Sequence, residues 1–147
     1  MTDEVAAVIH YIMNGRDRGS GGFAVSRILV VEDDPSLRTV IRMVLERGGF
    51  EVEEAPHGQA ALEQLAGGGQ DLVLVDLNMP RMGGLELMDR MRSNEKTASV
   101  PVVLLSGRHD AAAAAQAADG LVTKPFEPED LVRTIRGIID SRAESPR

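Results

Sequence analysis

Short apolar runs alternate with longer, mixed segments along the chain from about residue 26 onward. The runs are rich in Val, Leu and Ile and do not alternate between apolar and polar residues, which indicates strands that are buried on both faces. We predict five strands, at residues 27–31, 50–55, 71–75, 100–105 and 120–123.

The segments between these runs favour helices. Asp34 followed by Pro35 is typical of a helix N-cap and a first helical position, and Gly48 with Gly49 ends that helix. Further helices are predicted at residues 59–66, near 85–91, at the alanine stretch 111–115 and from residue 128 onward. Alternating strands and helices imply right-handed crossovers. The expected fold class is therefore α/β, a doubly wound five-stranded parallel sheet with five helices (flavodoxin-like) and a short fourth helix.

The first residues of the chain stand outside this pattern. Residues 14–24 are rich in glycine and lack apolar periodicity, which predicts a linker. We expect a poorly ordered N-terminal extension and linker at residues 1–25, one domain at residues 26–141 and a C-terminal tail at residues 142–147.

Composition narrows the class of protein. Of the 147 residues, 43% are hydrophobic, which suits one domain with one core. The formal net charge of −7 opposes contact with a phosphate backbone, so we expect no direct nucleic-acid binding. The chain has no cysteine, which excludes disulfides and thiolate metal sites, and no apolar run of membrane-spanning length. The expected location is the cytoplasm.

Polar side chains follow four of the predicted strands, at the end where parallel α/β sheets bind ligands. They are the acidic residues 32–34, Asp76, the pair Ser106 and Gly107, and Lys124. Each is ordinary alone, because acidic triplets cap helices, Ser-Gly pairs form turns and single lysines lie on surfaces. If the first strand lies between its partners in the sheet, these groups converge on one cleft.

The residue types in this set suit phosphoryl chemistry. Clustered carboxylates without cysteine or histidine favour a hard cation such as Mg²⁺, which neutralises repulsion between the carboxylates and a phosphoryl group. A carboxylate can act as the nucleophile and form an acyl phosphate. Hydroxyl and ammonium groups can then hold the phosphoryl oxygens.

Four segments carry a family resemblance. In chain order they are ILVVEDDPSLR, LVLVDLNMPRMGG, VVLLSG and LVTKPF, and they resemble the signature segments of response-regulator receiver domains of the chemotaxis-regulator type. The resemblance covers about residues 26–141. It implies two-component signal transduction, with a phosphoryl group supplied by a histidine kinase or a histidine phosphotransfer protein. We expect a stand-alone receiver, without an effector domain after Arg147, that binds an unknown downstream protein.

The resemblance also implies how the phosphoryl group and the metal are held. Asp76 is the implied phospho-acceptor. Asp33 and Asp76 are implied to ligate Mg²⁺, Glu32 to act on it through water, and Asn78 to contribute its backbone carbonyl.

The remaining implied roles concern the phosphoryl oxygens and the output. Ser106 is expected to hydrogen-bond the phosphoryl group and Lys124 to pair with it, with a cis peptide bond before Pro125. Gly107, Arg108 and Leu121 are the candidate switch and output residues.

Two departures from the family pattern affect the output. Leu121 stands where Tyr or Phe is usual, and the stretch between Ser106 and Lys124 is shorter than usual by about four residues, roughly one helical turn. We therefore expect the loop at residues 107–110 and the short fourth helix to carry the signal, rather than a side-chain rotation at Leu121.

Two alternatives stay open. An aspartyl-phosphate phosphohydrolase on a similar fold needs a second acid two residues after its nucleophile, where this chain has Asn78. A receiver-like module that works without phosphorylation is usually marked by a missing acceptor, acid or lysine, and this chain has all three. Under the favoured hypothesis the protein is not an enzyme. Its only expected reactions are Mg²⁺-dependent self-phosphorylation from phosphodonors and autodephosphorylation.

Overall fold

The strands form one parallel sheet. The structure, a computed structural model, describes residues 5–9, 25–107, 116 and 118–144. Its sheet has the order β2-β1-β3-β4-β5, and all four strand pairs are parallel. The strands are β1 (Arg27–Val31), β2 (Glu51–Ala55), β3 (Leu72–Asp76), β4 (Val102–Ser106) and β5 (Gly120–Thr123).

Helices cover both faces of the sheet. The helices that follow strands in the described residues are α1 (Pro35–Arg47), α2 (Gly58–Ala66), α3 (Gly84–Arg92) and α4 (Pro128–Glu144). The predicted short helix at residues 111–115 lies outside the described residues. The predicted doubly wound, flavodoxin-like class is confirmed.

Successive residues of the central strands face opposite layers. On β1, Leu29 and Val31 pack with α2 and α3, whereas Ile28 and Val30 pack with α1 and α4. Every residue of β3 and β4 is buried, which explains why these strands read as continuous apolar runs rather than alternating ones. The chemistry-bearing residues are thereby confined to the strand ends.

The edge strand β2 is more polar than the strands inside the sheet. Its sequence EVEEA carries three glutamates, and only its last residue is buried. Each glutamate forms an ion pair with an arginine of β1 or α1: Arg27 with Glu51 and Glu53, and Arg38 and Arg42 with Glu54. These contacts join β2 to the first residue of β1 and to α1.

The first helix begins where the sequence predicts. Asp34 is its N-cap, and the Oδ1 atom of Asp34 accepts hydrogen bonds from the backbone N–H groups of Ser36 at 2.9 Å and Leu37 at 3.4 Å. Pro35 occupies the first helical position, where no N–H is needed. This cap ends the acidic triplet, so only Glu32 and Asp33 remain available for the cleft.

The N-terminal segment contributes to the core. Residues 5–9 are helical, and Val8 is only 2% exposed in the apolar cluster between the sheet and the helices α1 and α4. Ile9 is 45% exposed. Val8 therefore packs against the domain, while the expected bounds of the N-terminal extension, the domain and the C-terminal tail stay predictions.

A chain that begins at Val25 should be less stable than the full chain. Burial of one valine contributes about 1.5–3 kcal/mol. The cost of ordering the segment opposes this contribution, so we expect the free energy of unfolding to fall by less than about 3 kcal/mol. Urea denaturation measures this difference. In the full chain, Val8→Ala should be destabilising while Ile9→Ala is nearly neutral. Equal stability of the full and shortened chains would show that the segment does not support the core.

Candidate functional site

The sheet order brings three acids together. β1 lies between β2 and β3, so Glu32 and Asp33, which follow β1, lie beside Asp76 at the end of β3. One carboxylate oxygen from each of the three lies within 4.8 Å of the other two. Glu32 and Asp76 are buried, at 2% and 4% exposure, whereas Asp33 is exposed. The cluster therefore opens to solvent on the side of Asp33.

The Glu32 carboxylate is held on one oxygen and not on the other. Its Oε2 accepts the backbone N–H of Asp34 at 3.1 Å, while its buried Oε1 has no hydrogen-bond partner among the described residues. Burial, followed by the proximity of Asp76, raises the pKa of Glu32 to about 8. A buried carboxylate oxygen without a donor is costly unless a cation or water satisfies it.

The Asp76 carboxylate is held on both oxygens. Its Oδ1 accepts the backbone N–H of Asn78 at 2.9 Å, and its Oδ2 lies 3.0 Å from the Lys124 Nζ. The backbone N–H of Lys124 donates to the Ser106 carbonyl at 2.8 Å, which fixes the lysine at the end of β5. The peptide bond between Lys124 and Pro125 is cis, as predicted.

Ser106 ends the strand beside the acceptor's strand, and a backbone carbonyl accepts its hydroxyl. It is fully buried at the end of β4, one residue beyond Leu105, which pairs with Asp76 in the sheet. Its Oγ donates to the carbonyl of Gly107 at 2.7 Å. A rotation about one side-chain bond is needed before this hydroxyl can donate to a group on Asp76.

The sequence pattern identified the residues of the cleft, and the structure brings four of them together: Glu32, Asp33, Asp76 and Lys124. The side chain of Asn78 is exposed, so its backbone is what faces the acids. Their individual roles stay predictions.

The predicted output residues are only partly described. Leu121 is half-buried and packs against the cluster that includes residues of α2 and α3. Gly107 has open space where a side chain would stand. Arg108 and the predicted fourth helix at residues 111–115 lie outside the described residues, so the predicted path of the signal stays a prediction.

Sequence reasoning missed Arg38. Its Nη1 donates to the Glu32 carbonyl at 2.7 Å and its Nε to the Glu54 Oε1 at 3.0 Å. The sequence gives little indication of this contact, because Arg38 follows Glu32 by six residues and this separation is not a helical spacing. The contact appears only once α1 is placed against the ends of β1 and β2.

Gly84, the first residue of α3, allows the chain to pass close beneath the acceptor. A Cβ atom there would stand 2.8 Å from the Leu104 Cδ2, 3.0 Å from the Asp76 carbonyl oxygen and 3.1 Å from the Leu77 Cα. Two of these neighbours are backbone atoms, which cannot move aside as a side chain can. The close packing of β3 against the start of α3 therefore requires glycine.

Gly84→Ala should lower the free energy of unfolding by about 1–3 kcal/mol, because the added methyl group overpacks a buried contact. Gly137→Ala is the matched control, since Gly137 is exposed within α4 and a Cβ there meets nothing within 4 Å. That change should raise stability by about 0.5–1 kcal/mol through helix propensity. Thermal unfolding of both variants checks the pair, and an unaltered melting temperature for Gly84→Ala would contradict the packing argument.

The donor set suits a hard divalent cation. The three clustered side chains offer only carboxylate oxygens, and one buried oxygen of Glu32 lacks a donor. Such oxygen ligands favour Mg²⁺ or a similar ion over softer metals. The residues present therefore fit the metal that the sequence implies.

Fold and site together define a class: flavodoxin-like domains with an acidic cleft, a lysine and a buried hydroxyl at the carboxyl edge of the sheet. The sequence pattern of the response regulator receiver domain matches residues 28–136. The chain belongs to this family, the receiver domains of two-component systems, which are signalling modules rather than classical enzymes.

Several known proteins are similar to this chain. The phosphate regulon transcriptional regulatory protein PhoB of Escherichia coli is 34% identical over 117 residues, which cover 77% of this chain and 51% of PhoB. The DNA-binding dual master transcriptional regulator RpaA of Synechocystis is 32% identical over 120 residues, 77% of this chain and 48% of RpaA. The chain thus spans about half the length of the curated relatives it matches.

Solved structures of receiver proteins are also similar. The chemotaxis protein CheY4 of Vibrio cholerae has a TM-score of 0.70 and 31% identity, over 78% of this chain and 99% of CheY4. The response regulator TrrA of Thermotoga maritima, solved in complex with Mg²⁺ and BeF, has a TM-score of 0.70 and 32% identity, over 78% of this chain and 99% of TrrA.

Similarity to known proteins does not test where this protein is located, how it is organised or whether it binds nucleic acid. Within the described ranges, no helix has both the length and the apolar character needed to cross a bilayer. The cytoplasmic location, the stand-alone organisation and the absence of direct nucleic-acid binding stay predictions.

Proposed function

We propose that Asp76 accepts a phosphoryl group from a phosphohistidine of a histidine kinase or a histidine phosphotransfer protein. The observation that carries this proposal is the Asp76 carboxylate itself: 4% exposed, paired with Lys124 at 3.0 Å and clustered with two further acids. In the step, an Asp76 oxygen forms a bond to phosphorus while the phosphorus–nitrogen bond of the donor breaks. The bonding pair of that bond returns to the imidazole, and the product is an acyl phosphate.

Two side chains of this chain would hold the transferred phosphoryl group, and one backbone group would hold the acceptor. Lys124 already lies on an oxygen of Asp76 and can pair with a phosphoryl oxygen instead. Ser106 can donate its hydroxyl after turning away from the Gly107 carbonyl. The backbone N–H of Asn78 keeps the other oxygen of Asp76 in place during transfer.

The acids would hold Mg²⁺ beside the acceptor. Asp33 and Asp76 would ligate it directly, Glu32 through water, and Asn78 through its backbone carbonyl. Bound Mg²⁺ would neutralise the repulsion between these carboxylates and the phosphoryl oxygens. The exposed position of Asp33 leaves the cluster open for water ligands, which Mg²⁺ retains in proteins.

We further propose that the phosphorylated form signals by binding a downstream protein. The physical basis of this proposal is the buried hydroxyl of Ser106. If this hydroxyl turns toward a phosphoryl group on Asp76, the hydrogen bond from Ser106 to the Gly107 carbonyl is lost, and the loop that follows Ser106 changes. A phosphohydrolase is not adopted, because the amide of Asn78 cannot protonate a leaving group.

Incubation with acetyl phosphate and Mg²⁺ should add one phosphoryl group to the protein, as measured by intact-mass spectrometry. Chelation of Mg²⁺ with EDTA should prevent the gain, because the crowded carboxylates then repel the donor. A protein that stays unlabelled with Mg²⁺ and an excess of donor would instead be a receiver-like binding module that works without phosphorylation.

A further inference from the structure

Arg38 connects the acidic cluster to the neighbouring strand. Its guanidinium donates to the Glu32 carbonyl at 2.7 Å through Nη1 and to the Glu54 carboxylate at 3.0 Å through Nε. The side chain is only 18% exposed. Charge-assisted hydrogen bonds of this kind are short and strong, and the planar guanidinium fixes both partners at once. One side chain of α1 thus joins the loop after β1 to the end of β2.

The carbonyl that Arg38 holds belongs to the peptide unit between Glu32 and Asp33. A peptide unit is planar, so the direction of this carbonyl also sets where the Cα atom of Asp33 lies. On its other side, the backbone N–H of Glu32 donates to the Ala55 carbonyl at 3.1 Å. Both backbone groups of Glu32 are therefore held against β2, its N–H directly and its carbonyl through Arg38.

We propose that Arg38 is a positioning residue for the cation pocket: it holds the peptide plane between Glu32 and Asp33 so that both carboxylates face Asp76. This inference rests on the proposed function and identifies a residue on which its metal step depends. Arg38 would act through the backbone of Glu32 and not as a ligand, because its guanidinium carries donors and no acceptor. Groups that orient metal ligands in this way commonly control affinity as strongly as some ligands do.

The charge of Arg38 and its positioning role predict opposite effects on Mg²⁺ binding. A guanidinium close to the pocket repels a divalent cation, so removal of the charge alone should tighten binding. Loss of the bond to the Glu32 carbonyl frees the peptide plane and disperses the two acids, which should weaken binding. The direction of the change therefore separates the two explanations.

Arg42 provides a matched control. It lies one turn further along α1, and its Nε is 2.8 Å from the Glu54 Oε2, an ion pair without hydrogen-bond geometry. Its Nη1 donates to Glu46 at 3.2 Å. Arg42→Gln therefore removes the same charge from the same helix and from the same partner, but leaves the bond to the Glu32 carbonyl intact.

The test is titration of the full chain with Mg²⁺, followed by calorimetry or by amide chemical shifts. Arg38→Gln and Arg38→Lys should each weaken Mg²⁺ binding by about tenfold, whereas Arg42→Gln should change it by no more than about twofold. The phosphorylation rate of the Arg38 variants should be low at limiting Mg²⁺ and recover at saturating Mg²⁺. Arg38→Lys keeps the charge, so the test remains available if the Gln variant does not fold.

Unchanged or tighter Mg²⁺ binding in the Arg38 variants would overturn the inference, and so would equal weakening in Arg42→Gln. These results leave the proposed function standing, provided that the wild-type chain binds Mg²⁺ and accepts the phosphoryl group. A wild-type chain that binds no Mg²⁺ would overturn the proposed function and the inference with it.

Discussion

Asp76→Asn should abolish phosphorylation of the protein and leave its fold unchanged. The amide oxygen can still accept the backbone N–H of Asn78, so the loop after β3 keeps its anchor. The amide is a far poorer nucleophile than the carboxylate, and its neutral charge removes the ion pair with Lys124. Intact-mass spectrometry after treatment with acetyl phosphate and Mg²⁺ should show no gain in mass, while the circular dichroism spectrum stays that of the wild type.

Asp34→Asn is the control for this experiment. Asp34 stands next to the acidic pair but caps α1, and asparagine caps helices as well as aspartate does. This variant should be labelled like the wild type. Undiminished labelling of Asp76→Asn would place the acceptor elsewhere and refute the assignment.

The metal-free protein should lose stability as the pH rises from about 4.5 to about 8, because of Glu32. Burial raises the pKa of Glu32 from 4.5 to about 8 in the folded state. Between these values the folded state keeps a proton that the unfolded state has released, so the free energy of unfolding falls by up to about 1.4 kcal/mol per pH unit. The contribution is fully present below pH 4.5 and is lost above pH 8.

Urea denaturation in the presence of a chelator, repeated across this pH range, measures the effect. Glu32→Gln should remove this part of the slope, because the amide does not titrate, while its oxygen can still accept the N–H of Asp34. Glu51→Gln is the control for the loss of one carboxylate at an exposed position, since the Glu51 side chain is 57% exposed. Parallel curves for the wild type and Glu32→Gln would show that Glu32 titrates normally.

The strands could be predicted because helices cover both faces of the sheet. Full burial of β3 and β4 requires apolar residues at every position, and that leaves an uninterrupted run in the sequence. The boundaries were less certain. Asp76 and Ser106 are the last residues of their strands rather than the first residues of the following loops, because their backbones still pair with the neighbouring strand.

The composition of the site was readable from the sequence, but its assembly was not. The convergence of Glu32, Asp33 and Asp76 depends on β1 lying between β2 and β3. The sequence of an apolar strand does not indicate which other strands pair with it. The family resemblance supplied the expected convergence, whereas the pattern of residues left it conditional.

Long-range contacts made by single side chains could not be predicted from the sequence. Arg38 reaches back six residues to a backbone carbonyl, and neither its spacing nor its residue type distinguishes it from other arginines of α1. Val8 lies in a short apolar run before a glycine-rich stretch, where the sequence favours no particular location. Its burial depends on the shape of the surface that α1 and α4 leave uncovered.

The charged edge of the sheet bears on how the protein behaves at high concentration. An unpaired edge strand can add a strand from another molecule and so start aggregation. If the β2 strand of a second molecule paired with this edge, its three glutamates would lie close to the three glutamates of the first and repel them. The arginines that pair with these glutamates come from the same chain. β5, at the opposite edge, has only four residues. Both edges therefore discourage growth of the sheet beyond one molecule.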